Sequence, residues 1–202
     1  MKFRSGPTLD KIVVDEVASM VNELDLAAVT LHPRARSQAY RGTADWSLIS
    51  RLKQICRVPV IGNGDIRSGR DAVKMVAQTG CDAVMVARGA IGNPWLFKEI
   101  LDALEGGSAP MVIDRSEWEK TLWEHFDLLV AFVENDEHTA ARLFRKHLAR
   151  YTRGMVGGSL FRKGLAGIND RESMTEALAM LMSHSEQAGG FVFSAAGPDD
   201  TF

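Results

Sequence analysis

The sequence predicts an α/β protein in which four parallel βα units are followed by a small all-helical domain. Two observations carry this prediction. Residues 1 to about 104 alternate short apolar runs with longer amphipathic ones, the pattern of repeated βα units and a parallel sheet. After a break of turn chemistry the strand pattern does not return, and only helical periodicity follows. The 202 residues, 46% hydrophobic and 25% charged, suffice for one domain or two small ones and exclude disorder and collagen-like repeats.

In order, the strands are Met1 to Arg4, Leu26 to His32, Val58 to Gly62 and Asp82 to Ala87. The last three are rich in Val, Ile, Leu and Ala and read as buried on both faces. The helices between them span Leu9 to Leu24, Asp45 to Ile55, Ser68 to Gln78 and Pro94 to Leu104, each with apolar spacing near 3.6. Ser68-Gly69-Arg70-Asp71 fits a capping box, and Asn93-Pro94 fits an N-cap followed by proline at the first helical position. Residues 105–116, with Gly106-Gly107-Ser108-Ala109-Pro110, form a linker. Helices follow over Glu117 to Asn135, His138 to Arg153 and Met174 to Ser185. In the first of these Trp118, Leu122, Phe126, Leu129 and Phe132 recur at helical spacing. The expected domains are thus 1–104 and 117–187, with 188–202 a disordered tail.

A formal charge of −2 gives no global field toward nucleic acid or membrane, so any such affinity is local. Cys56 and Cys81 are too few for a disulfide framework and lack metal-ligand spacing, which points to a reducing, cytoplasmic setting and no metal. No stretch approaches the ~18 apolar residues a membrane helix needs, and no signal-peptide core follows Met1.

In parallel α/β folds the chemistry sits just after the strands. Here those positions hold Lys2 and Arg4, then His32, Arg34 and Arg36, then Asn63-Gly64-Asp65, then Arg88-Gly89-Ala90. The two cysteines precede strands, at the opposite end. Gly-rich turns ahead of two successive helices suit a phosphate, with Arg88 as a charged clamp. Lys2 and Arg4 share one strand face, where an ammonium could stabilise an anionic ring; an exposed terminal lysine is the alternative. His32 reads as a proton donor, a cofactor contact or a satisfied strand-end histidine, the last favoured by the residue pattern alone.

Residues 138–163 hold seven Lys or Arg and no Asp or Glu. At 100° per residue Arg142, Arg145, Lys146, Arg150 and Arg153 fall in one arc, opposite Phe144, Leu148 and Tyr151. Such a stripe can neutralise several phosphates of a nucleic acid.

Taken together, Lys2-Phe3-Arg4-Ser5-Gly6, Leu31-His32-Pro33-Arg34-Ala35-Arg36, Pro59 through Ile66 and Ala87 through Trp95 resemble the tRNA-dihydrouridine synthases in order and spacing. Arg145-Lys146-His147 resembles that family's carboxy-terminal helical domain. The resemblance implies the second half of an FMN-binding TIM (β/α)8 barrel plus an RNA-binding domain. The implied reaction is reduction of uridine in tRNA to dihydrouridine with NADPH or NADH. It implies that Lys2 and His32 contact the flavin, that Asn63, Gly64 and Asp65 bind it, and that Ala87, Arg88 and Gly89 hold its phosphate. Arg145, Lys146 and Arg150 would meet the tRNA backbone; Arg34, Arg36, Arg142 and Arg153 are further RNA candidates.

The family's proton-delivering cysteine belongs to the first half of the barrel, which the four units do not include, so no catalytic residue is assigned. Three readings fit this: a fragment of an interrupted reading frame, a half that pairs with another chain or itself through the open barrel edge, or a degenerate protein. The first is favoured because Met1 sits within a strand motif. The competing functions are another FMN-dependent barrel oxidoreductase, similar to dihydroorotate dehydrogenase, and a non-catalytic tRNA-binding remnant.

Overall fold

The computed structural model describes residues 1–107, 111–187, 190–191 and 193–194. They divide into two compact units, one of residues 1–90 and 96–107, the other of 91–95 and the described residues from 111 onward.

The first unit is built on β1 (Lys2–Arg4), β2 (Val29–His32), β3 (Val60–Asn63) and β4 (Ala83–Met85). They form one parallel sheet in sequential order, so each strand pairs with the next along the chain. The crossovers are α1 (Val14–Glu23), α2 (Ser47–Ile55) and α3 (Gly69–Thr79), and α4 (Leu96–Leu104) follows β4. Register places Arg4 opposite His32 and Asn63 opposite Met85, which gathers the strands' carboxyl ends at one edge.

Because strand side chains alternate, the sheet has two unlike faces. Leu31 and Val60 join Val14 and Ala18 of α1, Leu52 of α2, Met75 of α3 and Leu96 of α4 in one apolar core. Gly62 belongs to this face: a Cβ there would lie 2.5 Å from the Met75 sulfur, so the strand accepts no side chain at that point. Lys2, Arg4, Thr30, His32 and Asn63 occupy the alternate positions, together with Ile61, Ala83 and Met85, so the polar groups of the strands gather on that face. Cys56 and Cys81 are buried in the apolar core.

The expectation of three strands buried on both faces holds for β2 and fails for β4, whose Ala83 is exposed and whose Val84 and Met85 are half-buried. The reason is position: β4 is an edge of the sheet, with a neighbour on one side only. Ser68 caps α3 as its sequence promised, its side chain accepting from the Asp71 N–H at 3.2 Å. Asp71 returns its bond to the Arg67 N–H at 3.0 Å, one residue before the cap. The proline start expected at Pro94 is not used; α4 begins at Leu96.

The second unit contains α5 (Arg115–Phe132), α6 (Glu137–Tyr151), α7 (Gly158–Lys163) and α8 (Arg171–Gln187). Asp114 and Asp136 cap α5 and α6, accepting from the Glu117 and Thr139 N–H groups. Trp118, Leu122 and Phe126 of α5 meet Phe144, Leu148 and Tyr151 of α6 and Met174 and Leu178 of α8 in a second core. Phe132, expected on the same apolar stripe, is 83% exposed because α5 ends there.

This unit is not all-helical. Within the expected linker, β5 (Val112–Ile113) pairs antiparallel with β6 (Phe193–Ser194), a segment expected in the disordered tail. Phe193 is buried and its ring stacks edge-on against Trp95, an apolar anchor that no periodicity announces. The rest of that tail, apart from residues 190 and 191, lies outside the described residues, as do 108–110 of the linker. No described helix is long and apolar enough to cross a membrane.

Candidate functional site

At the carboxyl edge of the sheet, arginines from the loops after β2 and β4 converge on one carboxylate from the loop after β3. Asp65 follows β3 and is held in the left-handed region at φ +58°, directly after Gly64 at φ +120°. A side chain at residue 64 would be strained by that φ, and its Cβ would also lie 3.0 Å from His32 Cδ2 and from the Ala44 Cβ. The Trp46 indole N–H donates to the Gly64 carbonyl at 3.1 Å and pins the turn.

Arg34 is the centre of this arrangement. It is 2% exposed, and its Nη2 donates to both Asp65 oxygens at 2.8 Å and to the Gly42 carbonyl at 2.7 Å. Its Nη1 lies 3.3 Å from His32 Nε2, while its buried Nε has no hydrogen-bond partner. Arg88 approaches Asp65 at 3.8 Å and stacks on the Tyr40 ring with its guanidinium carbon 4.4 Å from the centroid. Arg4 reaches the same ring at 5.6 Å and donates to the Ala39 carbonyl.

The electrostatics follow from this crowding. Burial alone would raise the Asp65 carboxyl, but the Ala44 N–H at 2.7 Å and the Arg34 guanidinium offset it, and the group sits below its ordinary value. Burial, then Arg4, Lys2 and Arg34, push His32 down to about 4. Burial and Arg4 lower Lys2, and burial and Arg34 lower Arg88. Cations that depress one another at an edge where Asp65 meets only Arg34 and Arg88 leave an excess of positive charge, the setting an anionic ligand would relieve.

The expected cofactor residues therefore fall into groups. His32, Asp65 and Arg88 converge with Arg34, and Gly64 shapes the turn between them. Lys2, although exposed, acts on His32 through its charge. Asn63 is buried and spends its amide on the Met85 carbonyl at 2.7 Å, bridging β3 to β4. Ala87 is exposed, while Gly89 packs so closely that a Cβ would meet the Ile66 carbonyl at 2.5 Å.

Among the residues expected to face RNA, Arg34 requires correction. It is buried and committed to Asp65, because a guanidinium enclosed by the sheet edge needs a counter-charge. Arg36 is exposed, with its backbone N–H on the Gly6 carbonyl. Arg142 and Lys146 are exposed on α6. Arg145 donates to the Ile168 carbonyl and to Asn169 Oδ1, and Arg150 packs against Gly92. Arg153 lies beyond the end of α6, in the turn after the Thr152 cap, so the expected arc is shorter by one residue.

Tyr40, Ala44 and Trp46 were not singled out from the sequence. Their signal was weak: an aromatic residue between Arg36 and Arg41 and a tryptophan at a helix start do not by themselves indicate a site.

A family model described as dihydrouridine synthase matches residues 1–187. The chain belongs to the dihydrouridine synthase family. It is 42% identical over 199 residues to the probable tRNA-dihydrouridine synthase of Mycobacterium leprae (strain TN), covering 98% of this chain and 50% of that one. Over 141 residues it is 45% identical to the probable tRNA-dihydrouridine synthase of Mycobacterium tuberculosis (strain ATCC 25618 / H37Rv), covering 69% and 36%. The tRNA-dihydrouridine synthase B of Pasteurella multocida (strain Pm70) is 31% identical over 178 residues, covering 88% and 53%. The chain spans about half the length of the curated relatives it matches.

Proposed function

We propose that this chain carries the cofactor-binding and RNA-binding half of a flavin-dependent tRNA-dihydrouridine synthase. Its four βα units, residues 1–104, are read as the second half of a TIM barrel whose polar sheet face is the barrel interior. Residues 117–187 are read as the helical RNA-binding domain.

The observation that carries this reading is the excess of cations at the carboxyl edge: Arg34 and Arg88 meet Asp65, while Lys2 and Arg4 act on the adjacent His32. The residues fit FMN. A dianionic phosphate would complement Arg88 beside Gly89, and the orphaned Arg34 Nε supplies a buried donor for an acceptor next to His32. FMN, reduced by NADPH or NADH, supplies the hydride for the uracil double bond when bound. The chain's own part is to hold the ring with Lys2 and His32, to shape its cradle with Asn63, Gly64 and Asp65, and to fix its phosphate with Ala87, Arg88 and Gly89. Arg36, Arg142, Arg145, Lys146, Arg150 and Arg153 are proposed to meet the tRNA backbone, which places the protein's work in the cytoplasm. Cys56 and Cys81 lie in the core on the helix side of the sheet and cannot deliver a proton at its polar face. The chain by itself is expected to form no dihydrouridine on unmodified tRNA.

The experiment is visible absorption of the purified chain after addition of FMN and removal of the excess. Stoichiometric flavin that is lost in Arg88→Ala supports the reading; a folded chain that retains no flavin overturns the claim that this half alone holds it.

A further inference from the structure

The sequence left His32 open between a proton donor, a ring contact and a structural residue, and the hydrogen bonds around it narrow the choice. A guanidinium offers five N–H donors and no acceptor. At the 3.3 Å contact between Arg34 Nη1 and His32 Nε2, Arg34 must donate and Nε2 must accept. An imidazolium or an Nε2–H tautomer would set N–H against N–H at this point. The ring is therefore neutral with its proton on Nδ1, where no described residue is hydrogen-bonded.

The charges packed around the ring favour the same state with one exception. Lys2 and Arg4 from β1 and Arg34 from the loop after β2 all oppose a further positive charge, and Asp65 from the loop after β3 is the single group that favours one. Asp65 does not bond His32; it holds Arg34, at 2.8 Å through both oxygens, and so aims Nη1 at the ring.

We propose that Arg34, anchored by Asp65, fixes His32 as the neutral Nδ1–H tautomer, so that His32 donates a hydrogen bond to the bound cofactor ring and does not act as an acid. The cofactor half of this statement rests on the flavin reading above. Arg34 is then a positioning residue: it touches no ligand through Nη1, and its effect is the direction in which His32 presents a proton.

The test is a long-range 1H–15N spectrum of the full chain labelled at histidine, with the His32 signals assigned by their loss in His32→Gln. The expected pattern is a pyrrole-type Nδ1 and a pyridine-type Nε2, held over the neutral pH range. In Arg34→Met the signals should move to the mixed or Nε2–H pattern of a free imidazole. Where Arg34→Met does not fold, Arg34→Lys decides. It keeps the charge but replaces the two nitrogens that serve Nε2 and Asp65 separately with a single ammonium, which the nearer anion Asp65 claims, so the tautomer should again become mixed. An Nε2–H ring in the native chain overturns the proposal, as does an unchanged Nδ1–H pattern in a folded Arg34 variant. The flavin reading fails separately: a chain that shows the Nδ1–H pattern yet retains no FMN keeps the tautomer lock and loses the ligand.

Discussion

Arg34 and Lys146 carry the same charge in opposite settings, and the contrast separates the two units. In the α/β unit the cations turn inward and share one carboxylate, so geometry decides what they do: Arg34 is buried against Asp65, and Arg88 lies between Asp65 and the Tyr40 ring. On α6 of the helical unit, Arg142 and Lys146 point to solvent on a stretch without a single Asp or Glu between 138 and 163. Inward cations select a ligand by shape and hydrogen bonding, whereas outward ones supply affinity that salt can screen.

The contrast breaks most visibly at Arg34. Arg34→Met leaves Asp65 with one partner fewer in a half-buried site, and losing one member of a buried pair costs about 3 kcal/mol. The urea midpoint of the α/β unit should fall accordingly, while Lys146→Gln should shift stability by about 0.5 kcal/mol or less, as surface changes do. Equal effects of the two substitutions would erase the distinction.

Gly64→Ala comes next. A non-glycine residue forced to φ +120° is strained, and its Cβ would press on His32 and Ala44, for about 1–3 kcal/mol. Unlike Lys146→Gln, it should also abolish flavin retention, because the turn that aims Asp65 at Arg34 is displaced. Retained flavin with unchanged stability would show that the turn is passive.

Much of this was legible in the sequence, and the failures have physical causes. The strands, the α3 cap and the clustering of His32, Gly64, Asp65 and Arg88 follow from period-2 and period-3.6 patterns and from the rule that loops after parallel strands carry the site. Burial of Arg34 was not legible, because a residue pattern does not say whether a carboxylate distant in sequence will meet a guanidinium. The pairing of β5 with β6 was hidden for a related reason: two-residue strands about 80 residues apart carry no periodicity, and only the burial of Phe193 beside Trp95 explains why they meet.

Two histidines extend the comparison to pH. His32 and His147 are both pushed down to about 4, the first by burial and then Arg4, Lys2 and Arg34, the second by burial and then His125 and Lys146. In the unfolded chain each titrates near 6.5. Between pH 6.5 and 4 the unfolded chain thus binds more protons, and stability falls as the pH falls. Urea midpoints across this window should decline, and His32→Gln and His147→Gln should each flatten the slope by up to one proton. His147 sits 4.6 Å, centroid to centroid, from His125, which bonds the Tyr151 hydroxyl, so its share reports the packing of α5 on α6.

The smallest structural effect is the sharpest check on the outward cations. Arg142→Gln with Lys146→Gln removes two exposed charges and no described hydrogen bond, so fold and flavin retention should stay as they were, while the pH slope should flatten slightly because Lys146 helps hold His147 down. What should change is binding of unmodified tRNA. Each phosphate that the variant no longer neutralises makes the slope of log affinity against log salt shallower by roughly 0.7 to 0.9, and the difference between variant and native chain should vanish at high salt. A salt slope unchanged in the double variant would move the RNA surface off this face of α6. Arg145 and Arg150, which are tied to Asn169 and packed on Gly92, would then be the cations that a bound phosphate has to displace from partners they already hold.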